Sequence, residues 1–372
     1  MRLLVSCIPY DSGKSGISVY VREVVGALAS QGHELTLLCE PDVLAILNSP
    51  FSIVHSPSWA RHPVLSMMWH LFVLPFWIAR HIREFDGFVI CAANRRVCAW
   101  YPLPTAATVH DLANFHIPGK YSRLRMFYLA HVLPFFAKRA QRLVAVSEAT
   151  KADMVKFWGC RPEDVTVLYN GLSGRKPGDK GREARLASDV SRPSAILYIS
   201  RIEHPGKNHL RLIEAYGRLD RATAEAHPLV IAGADWKDAE IVHEAAAHSP
   251  HADLIRFTGF VPGGEIERLW SEAGFYVFPS LFEGFGLSLV EAMARGIPCA
   301  CSNNGSLGEL AADVAITFDP ESVDDIAAAL KRLVSEPEQD RALRVARGLE
   351  HVKRFSWTDH ANGLVGLLGG SR

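Results

Sequence analysis

"RLLVSCIPYDSGKSGISVYVREVVGALASQGHELTLLC", residues 2–39, is the stretch whose reading decides the fold. RLLVSCI is apolar enough for a strand buried on both faces, and HELTLLC at 33–39 reads as a second. Between them SVYVREVVGALASQG places apolar residues at helical spacing and stops at Gly32. Strand, glycine loop, helix, strand is the opening of a parallel, doubly wound α/β sheet. Gly13-Lys14-Ser15 in the loop matches the end of an ATPase phosphate loop, but such a loop needs a glycine where this chain has Ile8. That pattern fails. What survives, around Gly13 and Gly16, either presents backbone N–H groups to a phosphate or polar substrate at a helix N-terminus, or is only a tight turn.

The pattern continues outward. GFVICA (87–92), AATVHD (106–111), RLVAVS (142–147) and VTVLYN (165–170) read as further strands. Residues 172–193 are rich in Gly, Pro, Lys and Arg and poor in large apolar residues, as in an interdomain linker. A second series starts at SAILYIS (194–200) and runs through HPLVIAGA (227–234), LIRFTGF (254–260), FYVFPS (275–280) and IPCACS (297–302). The expected fold is therefore α/β, with two facing Rossmann-like doubly wound domains. Ligands bind such sheets at the carboxyl ends of the strands, which puts the expected active site in the interdomain cleft.

Composition narrows the function classes. The 372 residues hold 40 Lys and Arg against 40 Asp and Glu, so no global field recruits nucleic acid. Seven cysteines, odd in number, irregularly spaced and without a C-x-x-C pair, read as reduced, buried thiols of a cytoplasmic protein. PVLSMMWHLFVLPFWIA (63–79) contains His70 and Pro75 and reads as too short for a membrane span. Trp69, Phe72, Val73, Phe76 and Trp77 recur in it at helical spacing, so the helix either rests on a bilayer or faces a core or partner.

The chemistry concentrates in FPSLFEGFGLSLVEAMARGIPCACSN, 278–303. Glu283 follows a strand, the loop Gly284-Phe285-Gly286 lets backbone amides approach an anion, and Glu291 lies within the next helix. Two carboxylates around an anion loop suit a sugar joined to a nucleoside diphosphate; the plain alternative is a helix-capping and a solvated glutamate. In YISRIEHPGKNHLRLIEAY (198–216), Arg201 and Lys207 would emerge at the same sheet edge, where two cations neutralise a diphosphate. In TVHDL, His110 ends a strand and either binds a substrate hydroxyl or phosphate or satisfies a neighbouring carbonyl.

The run 278–303, with its Glu-x7-Glu spacing, resembles the signature of retaining glycosyltransferases of family 4, which have the GT-B fold. GISVYVREVVGALASQGHELTLL, TVHDL, AVSEAT with VTVLYNG, ISRIEHPGKNH, FTGFV, FDPESVDDIAAAL and FSW (355–357) match in the same order across almost the whole chain. The resemblance implies an N-terminal acceptor-side domain, 1–171, completed by a C-terminal helix at about 358–372, and a nucleotide-sugar domain, 194–357. It implies Glu283, His110, Arg201 and Lys207 as catalytic groups, with Arg201 and Lys207 on the diphosphate. Donor binding would involve Gly16, backbone at Phe260 and Val261 for the base, Glu283, Gly284, Phe285, Gly286, Leu287, and Glu291 for the ribose.

The implied activity is retaining hexosyl transfer from a nucleotide sugar to a glycan or lipid-linked acceptor, with no cofactor. No D-x-D triplet occurs, so no divalent metal is expected. The EHPGKNH segment resembles bacterial polysaccharide mannosyltransferases, which favours GDP-mannose over UDP-sugars. The expected location is the cytoplasm, with peripheral contact at the inner membrane. A non-catalytic sugar-nucleotide-binding subunit is the reading from another class; a phosphorylase lacks a pyridoxal-lysine context, and an ATPase lacks its first glycine.

Overall fold

The computed structural model describes residues 1–8, 10, 15–40, 51–117, 119, 121–173 and 194–370. Gly13, Lys14 and nearly all of the expected linker lie outside the described residues. The chain divides into two units: Met1–Ser173 with Phe355–Arg372, and Gly174–Arg354.

Unit 1 is built on seven parallel strands. They are β1 (Arg2–Ser6), β2 (Glu34–Cys39), β3 (Ser52–His55), β4 (Gly87–Ile90), β5 (Thr105–Val109), β6 (Arg142–Ala145) and β7 (Val165–Val167), ordered β3-β2-β1-β4-β5-β6-β7. Order reverses between β1 and β4, the switch point at which doubly wound sheets open a crevice. Leu3, Leu4 and Val5 are fully buried, as their unbroken apolar run requires. The helix Gly16–Ser30 buries Tyr20, Val21, Val24, Val25 and Leu28, and its N-cap Ser15 side chain accepts from Ser18 N–H.

The helix Trp357–Gly369 returns to this unit and closes it. His360 Nδ1 donates to the Tyr169 carbonyl at 3.0 Å, which leaves Nε2 to accept from the Tyr20 hydroxyl at 2.8 Å. The Tyr20 oxygen in turn accepts from Thr108 Oγ1 at 2.9 Å. Close approach is possible because position 171 is glycine: a Cβ there would lie 2.2 Å from the Trp357 nitrogen.

Unit 2 repeats the plan with six parallel strands. They are β8 (Ala195–Ile199), β9 (Leu229–Ala232), β10 (Ile255–Phe257), β11 (Ala273–Phe278), β12 (Cys299–Ser302) and β13 (Ile316–Phe318), ordered β10-β9-β8-β11-β12-β13. Its switch point lies between β8 and β11. All seven cysteines are buried and none is bridged.

Residues 63–80 depart from the sequence reading. By length and mean hydropathy, 1.2 over 18 residues, the run Pro63–Arg80 does reach what a membrane span requires, although 39% of it is buried. It is not a plain α-helix either, because a π turn, Trp69–Val73, separates Pro63–Met68 from Leu74–Arg80. Pro75 has no N–H and would crowd the carbonyl four residues back, that of Leu71. The wider turn frees that carbonyl, and Ala99 N–H takes it at 2.9 Å. A second π turn, Tyr128–Val132, precedes Pro134 in the same way. The aromatic face is consequently divided: Trp69 and Leu74 are core, whereas Phe72, Val73 and Phe76 are 43–58% exposed.

Candidate active site

In unit 2 the loop between β8 and the helix His209–Gly217 carries both expected cations. Its backbone is tied down from three directions. The Tyr198 hydroxyl donates to the Lys207 carbonyl at 2.9 Å and contacts Ser280 Oγ at 3.2 Å. Leu281 N–H donates to the Gly206 carbonyl at 3.0 Å. Asn208, with φ 58°, donates through Nδ2 to the carbonyls of Pro279 and Pro320 at 2.9 and 2.7 Å. These bonds join the loop after β8 to the loop after β11, so the two motifs share one edge.

That junction brings two predicted residues into direct contact. Lys207 Nζ lies 2.6 Å from Glu283 Oε1, with each side chain only 18% exposed. Arg201 pairs instead with Glu203 at 3.4 Å, its guanidinium 5.2 Å from the ring centre of Trp236. Each cation therefore has a carboxylate beside it.

The glycine loop has the form an anion cradle requires. Gly286 caps the helix Leu287–Ala294 with φ 107°, where a Cβ would also meet Leu307 Cδ2 at 2.6 Å. Gly284, Phe285 and Gly286 are buried. Ser306 Oγ bonds the carbonyls of Glu283 and Phe285 at 2.9 and 2.7 Å, which holds these acceptors away from the helix mouth. Leu289 and Val290 N–H donate to the Gly286 carbonyl at 3.0 and 3.3 Å, while the first two amides have no carbonyl one turn back within the helix, and this end carries the positive end of the dipole. Glu291 is half-buried, about one turn along. Phe260 is exposed and Val261 half-buried just beyond β10.

His110 and Gly16 belong to unit 1. Gly16 is the first residue of its helix, and a Cβ there would meet nothing within 4 Å. His110 follows β5 and is buried; its Nε2 donates to the Cys91 carbonyl at 2.7 Å, which leaves Nδ1 as an acceptor. The Tyr20 ring packs edge-on against it at 4.6 Å. Burial pushes the imidazole down to about 4, partly offset by the hydrogen bond to Cys91, so it is neutral at physiological pH. A neutral ring offering a lone pair suits a hydroxyl and does not suit a phosphate.

Several supporting residues went unnamed in the sequence reading: Tyr198, Glu203, Asn208, Trp236, Ser280 and Ser306. Asn208 had a local signal, since it directly follows Lys207 at a helix start. Glu203 lies two residues from its partner Arg201, whereas Trp236, Ser280 and Ser306 act through partners brought in from distant sequence.

Two doubly wound parallel sheets, the second with a lysine–glutamate pair and a glycine-capped helix at its carboxyl edge, fit the GT-B plan, and it is comparison with known proteins that gives the class. The family model described as Glycosyl transferases group 1 matches residues 185–346, and that described as Glycosyltransferase Family 4 matches 14–173. The chain is a glycosyltransferase of the GT-B type, similar to bacterial polysaccharide mannosyltransferases. It is 29% identical over 255 residues to O-antigen chain mannosyltransferase B of Escherichia coli, covering 67% of this chain and 66% of that protein. It is 27% identical over 270 residues to the serotype-specific mannosyltransferase WbdA of Escherichia coli, covering 70% of this chain but 33% of that protein. In fold it is similar to Anabaena HepE, solved in complex with UDP and glucose, with a TM-score of 0.72, 17% identity, and 99% of each chain covered.

Proposed function

We propose that the protein transfers mannose from GDP-mannose, with retention of anomeric configuration and without a divalent metal, to a glycan or lipid-linked oligosaccharide in bacterial surface polysaccharide synthesis. The observation that carries the reading is the half-buried Lys207–Glu283 pair beside the loop Gly284–Gly286. Lys207 and Arg201 meet the diphosphate, assisted by amides at the start of Leu287–Ala294, and Glu291 holds the ribose. The absence of any D-x-D triplet supports charge compensation by these side chains. The bond from the anomeric carbon to the phosphate oxygen breaks as the acceptor oxygen attacks from the same face, and the departing phosphate oxygen takes the acceptor proton. Glu283 orients the sugar, and His110 accepts from one of its hydroxyls. Similarity to mannosyltransferases favours the mannosyl donor. A UDP-sugar is the second reading, because the HepE neighbour is seen with UDP and glucose.

The reading includes a cytoplasmic protein that touches the inner membrane peripherally. Its support is that Phe72, Phe76, Leu124, Phe127 and Phe135 of unit 1 are exposed. Residues 57–142 hold eleven Lys and Arg against three acidic residues, suited to anionic headgroups.

A thermal-shift panel of GDP, UDP, ADP and their sugars, with and without EDTA, tests the donor. Stabilisation by GDP and GDP-mannose alone, indifferent to EDTA, is expected. Stabilisation by UDP compounds alone moves the donor to the second reading, and a response only in the presence of metal removes the metal-free step. Glu291→Ala weakens nucleotide binding about tenfold, whereas Lys207→Ala lowers turnover more than affinity. Wild-type behaviour in both variants removes the site assignment.

A further inference from the structure

Lys207 is already engaged before any ligand arrives, and its partner is a residue assigned to the sugar. The 2.6 Å contact with Glu283 is largely shielded from water, each side chain being 18% exposed. Both ends are held: Tyr198 fixes the Lys207 backbone, and Ser306 fixes that of Glu283. A diphosphate that takes the ammonium must therefore compete with this carboxylate or sit beside it.

Donor and product differ in how they meet that competition. The donor brings a sugar whose hydroxyls can donate to Glu283, replacing what the carboxylate loses when Lys207 turns to phosphate. The nucleoside diphosphate left after transfer no longer carries the transferred sugar. Its terminal phosphate also ionises a second time near pH 6, so at neutral pH it carries roughly one more negative charge than the donor. Lysine alone would hold the product more tightly than the donor. Glu283 opposes that order, by repulsion of the terminal phosphate and by reclaiming the ammonium.

We propose that Glu283 is an internal competitor for Lys207 that expels the nucleoside diphosphate product while admitting the sugar-linked donor. This rests on the nucleotide-sugar reading of the site. Glu283 thus has a release role besides its orienting one, and the ligand-free pair is the state to which the site returns after each turnover.

Calorimetric titration of the full chain with GDP, UDP, GDP-mannose and UDP-glucose tests this in wild type, Glu283→Gln, Lys207→Gln and the double variant. In Glu283→Gln, the nucleoside diphosphate that binds wild type is expected to bind about tenfold tighter, while its sugar ester binds no tighter. In the Lys207→Gln background the same change should give clearly less tightening, because only the repulsion is relieved and no ammonium is released. Equal tightening of diphosphate and sugar ester, no tightening, or the same tightening without Lys207 overturns the proposal. Glu283→Asp, one methylene shorter, is expected to move the ratio in the same direction by less, and supplies the test should Glu283→Gln not fold. Absence of nucleotide binding in wild type would overturn the donor reading as well, whereas binding unaffected by Glu283 overturns this inference alone.

Discussion

Acid should weaken unit 1 before unit 2, because of where the buried histidines lie. Burial depresses four histidines most strongly, His70, His110 and His360 in unit 1 and His209 in unit 2. Burial is the leading cause of each depression, to about 3 for His70 and about 4 for the other three. In the unfolded chain each takes a proton near pH 6.5, so between about pH 6.5 and 4 the unfolded state binds more protons. The stability these neutral rings contribute is full above pH 6.5 and is lost as pH falls towards 4. From pH 7 to pH 5 one such histidine costs about 2 kcal/mol, so unit 1 loses about 6 kcal/mol and unit 2 about 2 kcal/mol. Hydrogen exchange read separately over residues 1–173 and 194–354 at the two pH values is the assay. His70→Gln, which can keep a bond to the Val97 carbonyl without titrating, should remove about a third of the loss in unit 1. A loss below about 1 kcal/mol in unit 1, or equal losses in both units, would refute the reasoning.

Two further substitutions probe the architecture of the site. Asn208→Ala strands the carbonyls of Pro279 and Pro320 and puts a Cβ residue without local hydrogen bonding at φ 58°, so denaturant unfolding should show a loss of about 2–4 kcal/mol. Asn208→Gly, which relieves only the dihedral, should recover no more than about 1 kcal/mol of that loss. Gly286→Ala strains the helix cap by about 1–3 kcal/mol and should weaken nucleotide binding measured by calorimetry. Adding Leu307→Ala removes the 2.6 Å contact but leaves φ at 107°, so affinity should stay low.

The strands most open to sequence reading are those buried on both faces. Leu3–Val5 and Phe88–Ile90 show as unbroken apolar runs because no position needs to be polar. β3 and β13 escape because they are only four and three residues long, and in each one or more residues face solvent. The π turn at Trp69–Val73 is hidden for a different reason: a constant helical period places Trp69 with Phe72 and Phe76, and only the extra residue in the turn separates them. At the candidate site, Glu283, Glu291 and the intervening glycines are local in sequence and readable from type and spacing. Ser306 reaches the Glu283 carbonyl from 23 residues away and Tyr198 meets Ser280 from 82, and nothing in local pattern records such bonds.

The helix Trp357–Gly369 has a further consequence for the order in which the protein is made. Unit 2 is one uninterrupted stretch, whereas unit 1 is assembled from two pieces separated by all of unit 2. On the ribosome the first sheet emerges early, yet the Tyr20 hydroxyl and the backbone at Gly171 meet their partners only when the final helix arrives. Until then Tyr20 lacks the acceptor that His360 provides. The second-made unit is therefore the first that can finish, and the early half of the chain waits for the late one.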